Sequence, residues 1–179
     1  FGGRLPVEEV GLYASSSSQL AAMTPRGTVD FDGQTHAFSF WGWGTALSWL
    51  HVPWRALPEW KLTPAELDPL AALIVPSAEV FPAEDVPALE AWVRRGGLLV
   101  LAGDCGRRHG EAQYFARLPG QDSTLAALLE AAGHEGDMAA LGQGGVLRLP
   151  EDPGQRFYQA RETRPGLLAP IAAAMDRIA

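Results

Sequence analysis

The sequence holds a single cysteine, Cys105, in 179 residues. It can form no internal disulfide and no cysteine-rich metal site. Lysine is nearly absent: Lys61 stands alone against thirteen arginines. With abundant Ala, Gly and Leu, that imbalance reads as genomic composition rather than function. The formal net charge is −7. It argues against non-specific nucleic-acid binding, which rests on phosphate neutralisation by basic side chains. No apolar run approaches the about 20 residues of a transmembrane helix, so no membrane partner is expected. The histidines, His36, His51, His109 and His134, form no H-x-x-x-H or H-E-x-x-H pair, and no metal is expected. Gly2-Gly3, Gly96-Gly97 and Gly144-Gly145 stand in no phosphate-loop context. No nucleotide and no other cofactor is implied.

What is present is enough apolar surface, 47% of residues, for one domain with a real core. The chain starts at Phe1, and residues 1–6 read as a linker. The expectation is a fragment of a larger protein, with residues 7–179 as one α/β domain. The compartment, cytoplasmic or secreted, stays open.

The chain is organised around residues 71–106. Ala71–Val75 is a short apolar run stopped by Pro76, as in a strand buried on both faces. Pro82 suits a first helical turn, and Val86, Leu89, Trp92 and Val93 give the helix an apolar face. Arg94 and Arg95 favour its last turn and Gly96-Gly97 ends it. Leu98–Leu101 is a second apolar strand, which makes a parallel βαβ unit. Around it, Val7–Ala14 reads as a first strand, Phe38–Val52 as a helix weakened by Gly42 and Gly44, and Trp54–Leu57 as a short strand. Thr63–Glu66 resembles the start of a helical turn. Asp122 or Ser123 can cap a helix over 124–132, residues 144–150 are a last strand, and residues 165–179 a terminal helix. Residues 15–35 show little periodicity and read as a long loop. The predicted architecture is a three-layer, open, mainly parallel sheet of flavodoxin-like order 2-1-3-4-5 with helices on both faces.

Ligands of such sheets sit beyond the carboxyl ends of the strands. Ser15, Ser77, Glu79, Asp104 and Arg107 converge there and form a candidate ligand-binding set. Cys105 is a candidate nucleophile, since a thiol on a tight turn after a strand is exposed to backbone N–H donors. Arg107, Arg108 and His109 would lower its pKa. The alternative is a small packing residue at a strand end. Five of the six tryptophans fall between Trp41 and Trp60. They can fill the core, stack on sugar rings, or anchor an interface through Trp41, Trp43 and Trp60.

The run from Leu73-Ile74-Val75-Pro76-Ser77 to Gly96-Gly97-Leu98-Leu99-Val100-Leu101-Ala102-Gly103-Asp104 resembles the class I glutamine amidotransferase-like fold. It is most similar to the non-catalytic trimerisation domain attached to β-galactosidases. Val10–Ser15, Phe40–Trp43 and Leu118–Gly120 with Leu125–Leu129 add to the resemblance. Catalytic members of the fold carry a G-x-C-x-G elbow and a later histidine. Here Arg107 takes the last elbow position, and no histidine follows His134. The resemblance therefore implies an accessory or oligomerisation domain of a carbohydrate-active enzyme. Its partners would be further copies or a neighbouring catalytic domain, with a carbohydrate substrate at hand. The alternatives are a cysteine-dependent hydrolase or amidotransferase using Cys105, and a small-molecule binding module at the sheet edge.

Overall fold

The computed structural model describes residues 9–22, 35–108, 123–131, 138–160, 168–169 and 171–173. In chain order they form β1 (Glu9–Ala14), α1 (Ser16–Ala21), α2 (Thr35–Trp49), β2 (Trp54–Pro58), α3 (Pro64–Leu67), β3 (Leu70–Pro76), α4 (Val86–Arg94) and β4 (Leu98–Ala102). There follow α5 (Ala126–Ala131), β5 (Met138–Leu141), β6 (Gly144–Leu149) and α6 (Pro153–Gln159). Short 3₁₀ turns occupy Glu59–Lys61 and Ala83–Asp85.

The strands make one sheet in the order β2-β1-β3-β4-β6-β5. All neighbours are parallel except β5, which pairs antiparallel with β6. The α/β sheet expected from the sequence is therefore present. Its order differs from 2-1-3-4-5 by an added edge strand: the expected fifth strand is β6, and β5 lies outside it. Met138-Ala139-Ala140-Leu141 is short and Ala-rich, and Ala is depleted in strands, so nothing in its pattern marks it. It is held by a tight hairpin, with Gly142 at φ 68 in the first loop position.

Alternation along the strands splits the interior into two layers. Tyr13, Leu73, Val75, Leu99, Leu101 and Val146 face Leu89, Trp92 and Val93 of α4 and Leu128 of α5. Val10, Leu12, Ala72, Ile74, Val100 and Leu147 face Trp43, Ala46 and Leu47 of α2, together with Phe157 of α6 and Ile171. β3 is buried on both sides because it lies between β1 and β4 under helices on each face. Leu73, Ile74 and Val75 are wholly inaccessible, and each such side chain stabilises the fold by about 1.5–3 kcal/mol.

The helix expected at 38–52 runs Thr35–Trp49 instead. It stops early because His51 turns to φ 57, and Val52 N–H donates back to the Leu47 carbonyl at 3.0 Å. Gly42, a poor helix former, is explained by packing. A Cβ there would run into the Gly154 backbone of α6, so the two helices touch through their main chains. Pro82 stands ahead of the 3₁₀ turn rather than inside a helix, and α4 begins after it at Val86.

Within the expected 15–35 loop, residues 16–21 form α1. Residues 23–34 lie outside the described part, as do the linker 1–6, Arg107's neighbours from His109 to Asp122, and His134. Of the expected terminal helix, residues 168–169 and 171–173 are described and helical.

Candidate functional site

The strand order reverses at β1, with β2 on one side and β3 on the other. Side chains leaving the carboxyl ends of β1, β3, β4 and β6 meet near that point. The β1 end is fully engaged within the chain. Ser15 N–H donates to His36 Nε2 at 2.9 Å, so that nitrogen carries no proton. The proton sits on Nδ1, which donates to the Pro76 carbonyl at 2.6 Å. Burial pushes the His36 pKa below its ordinary value, which agrees with a neutral ring. Ser15 Oγ accepts from Ser18 N–H at 2.9 Å, capping α1, and donates to Glu59 Oε2 at 3.0 Å. Glu59 also accepts from the Ser17 hydroxyl and N–H, which fastens α1 to the 3₁₀ turn at 59–61.

The β3 and β6 ends are joined by a buried carboxylate. Asp152 Oδ1 accepts from Trp43 Nε1 at 3.0 Å and from the N–H groups of Gly154 and Gln155 at 2.9 and 3.2 Å. Its Oδ2 accepts from Ser77 Oγ at 2.6 Å and from Ser39 Oγ. One side chain thus caps α6, fixes α2 and holds the turn after β3. Ser77 turns at φ 42, a left-handed conformation rare outside glycine. Its N–H donates to the Ala102 carbonyl at 2.7 Å, which continues the β3–β4 ladder through the bend. Gly103 lies against it at φ 69, where a Cβ would meet both the Ser77 hydroxyl and the Asp152 side chain.

These turns floor an open cleft of about 510 Å³. Ser77, Glu79 and Asp104 of the expected ligand set border it, with Glu151, Gln155 and Arg156 on the β6 side. Glu79 pairs with the Arg108 guanidinium, and Glu151 Oε2 with Arg156 Nη1 at 2.5 Å. Ser15 and Arg107 are not among the cleft's bordering residues. Ser15 is tied to Glu59 and Ser18, and Arg107 Nε lies 3.6 Å from Asp104 Oδ1.

Cys105 is placed differently from the exposed nucleophile that the sequence suggests. It is buried at 3% exposure, with Sγ 3.4 Å from the Val75 carbonyl and 3.5 Å from that of Ala102. Burial pushes the thiol up to about 12. The residue leaves β4 pointing into the layer of α4 and α5, so the thiol packs and stays protonated at neutral pH. His36, the buried described histidine, has both ring nitrogens engaged elsewhere.

The tryptophans divide. Trp43, expected at an interface, is wholly buried in the α2–α6 layer; this corrects that expectation. Trp41, two residues earlier, falls on the opposite side of the helix and is 58% exposed, and Trp60 is 71% exposed. Trp54 packs on Phe40 and beside Gly44.

Sequence reasoning passed over Asp152, Ser39, Gln155 and Arg156. The signal was Asp152-Pro153, a capping residue followed by proline in the first turn of a helix, directly after a strand. Among the described residues, no group of three or more His, Cys, Asp or Glu is placed to hold a metal ion. No described helix is long and apolar enough to cross a membrane.

No protein-family model matches the sequence, and no curated protein matches it. Solved structures do share the fold. A beta-galactosidase from Bifidobacterium adolescentis is 17% identical with a TM-score of 0.52, over 69% of this chain and 53% of that one. Gan42B, a GH42 beta-galactosidase, is 16% identical with a TM-score of 0.52, over 68% of this chain and 17% of its own. The exo-beta-1,4-mannosidase Op5Man5 from Opitutaceae bacterium strain TAV5 is 12% identical with a TM-score of 0.60, over 93% of this chain and 36% of its own. At these identities the likeness is one of fold, and this chain spans about half or less of each of those chains: it is similar to a part of larger glycoside hydrolase chains.

Proposed function

We propose that this chain is a non-catalytic accessory domain of a carbohydrate-active enzyme, of the glutamine amidotransferase-like type found as the β-galactosidase trimerisation domain. It packs against a neighbouring catalytic domain or a second copy and leaves glycoside chemistry to residues elsewhere. The observation that carries the reading is the occurrence of this fold as a part of three longer glycoside hydrolase chains. The state of Cys105 supports it, because a buried, protonated thiol whose sulfur lies against two main-chain carbonyls is poorly suited to attack a substrate.

The packing surface in this reading is the one bearing Leu20, Trp41 and Trp60, each more than half exposed. The Ser15 and Ser17 bonds to Glu59 hold α1 beside the turn that carries Trp60, so Leu20 and Trp60 sit on adjoining elements. Large exposed aromatic and aliphatic side chains on fixed elements are the usual anchors of an interface. The test is light scattering and binding to the adjoining domain for the native chain and for Trp41→Ala and Trp60→Ala. Weakened association with an unchanged fold is expected. A strict monomer that binds no adjoining domain, with both variants behaving like the native chain, overturns the reading.

A further inference from the structure

We propose that the cleft beyond the carboxyl ends of β3, β4 and β6 is a binding site for a neutral saccharide. This goes beyond the packing role, and either can hold without the other. The cleft's volume of about 510 Å³ falls among those of small-ligand sites, which run about 300–1,000 Å³. Its floor is rigid, because Ser77 and Asp152 are buried and bonded to each other, and Gly103 has no room for a side chain against them. A fixed floor lowers the ordering cost of binding.

The charges select the ligand. Glu79, Asp104, Glu151 and Asp152 border the cleft with Arg156 as the cation among its bordering residues, so an anion such as a phosphate ester is repelled. A free cation has to compete with arginines already bonded to Glu79 and Glu151. A neutral hydroxyl does neither. At the cleft, the Glu151–Arg156 pair on the β6 side sets an acceptor oxygen next to donor N–H groups, and Glu79 on the β3 side, held by Arg108, adds a second carboxylate. Each carboxylate keeps acceptor capacity beyond its one arginine contact. A sugar hydroxyl donates and accepts at once, so neighbouring hydroxyls on a ring match a set of carboxylates beside one guanidinium. Gln155 and Thr35, also at the cleft, add a carboxamide and a hydroxyl of the same dual character.

The experiment is amide shift mapping of the chain titrated with D-galactose, D-mannose, myo-inositol and, as the charged counterpart, glucose 6-phosphate. Saturable shifts at Gly103, Asp104 and Gln155 are expected with at least one neutral probe and weaker ones with the phosphate ester. Gln155→Ala, which leaves Asp152 in place, should weaken binding about tenfold, the loss of one hydrogen bond, with an unchanged melting temperature. No saturable shift from any neutral probe, tighter binding of the phosphate ester, or equal binding by Gln155→Ala and Glu151→Ala overturns the proposal. None of these outcomes depends on Trp41 or Trp60, so failure here and failure of the packing role are told apart.

Discussion

Trp43 and Asp152, 109 positions apart, are joined by a hydrogen bond of 3.0 Å from the indole Nε1 to Oδ1. The bond lies in the layer between α2 and α6, where both residues are buried. Removing the carboxylate strands the indole N–H and two hydroxyls and uncaps α6. Asp152→Ala should therefore cost at least about 3 kcal/mol in urea denaturation. Asp152→Asn keeps an acceptor for Trp43 and the cap but turns an NH₂ toward Ser39 and Ser77, and should cost less. Equal losses in the two variants would remove the hydroxyl contacts from this account.

His36 is neutral in the fold, with its Nε2 accepting from Ser15 N–H. Its pKa is lowered on folding, so the unfolded chain takes up the proton first. The stabilisation is complete above the unfolded value of about 6.5 and is lost as pH falls below it. A charged ring cannot accept from Ser15, so the β1–α1 turn should loosen with it. Nitrogen-15 spectra should report the Nδ1–H tautomer at neutral pH. His36→Gln should flatten this part of the stability profile; a profile that is unchanged in the variant would assign the effect to other groups.

Cys105 should not react with a soluble disulfide reagent at pH 8 in the native protein and should react at once in denaturant. Its folded pKa of about 12 exceeds the ordinary 9.0. The unfolded chain therefore loses its proton first, and stability present below pH 9.0 declines as pH rises toward about 12. Fast native labelling would restore the cysteine-based alternative.

Tyr13 Oη is buried with no hydrogen-bond partner among the described residues. Phe81 packs on its ring with centroids 5.0 Å apart, and burial is the main cause of the raised phenol pKa. A buried hydroxyl that makes no bond gives up its hydration on folding with nothing in return, so Tyr13→Phe should leave stability unchanged or raise it by up to about 1–3 kcal/mol. A loss above about 1 kcal/mol in thermal unfolding would place an ordered internal water on this hydroxyl.

The central strands were legible because burial on two faces leaves an unbroken apolar run, as in Leu73-Ile74-Val75 and Leu99-Val100-Leu101. α4 was legible from apolar spacing that ends at two glycines. α6 was not, because Pro153-Gly154 reads locally as a breaker, and only its partner makes sense of it: Gly154 lies against Gly42. The same contact explains the difficulty with the tryptophans. Gly42 and Gly44 blur the face of α2, yet Trp41 and Trp43, two residues apart on a helix, must point opposite ways. Of the candidate site, Ser77, Glu79 and Asp104 could be placed from topology, since each leaves the carboxyl end of a parallel strand or follows its turn. Asp152 could not, because its five donors come from α2, the turn after β3 and the first turn of α6, and no spacing in the chain reports that convergence.

The main-chain contact of Gly42 with Gly154 also sets an order of events during synthesis. α2 leaves the ribosome before α6, and the surface that covers Trp43 is made about a hundred residues later. Until residues 153–157 are released, one face of the nascent sheet stays without its second helix, and the indole N–H of Trp43 has no carboxylate. Final closure of this domain therefore waits on α6 and is made by contacts of long sequence separation.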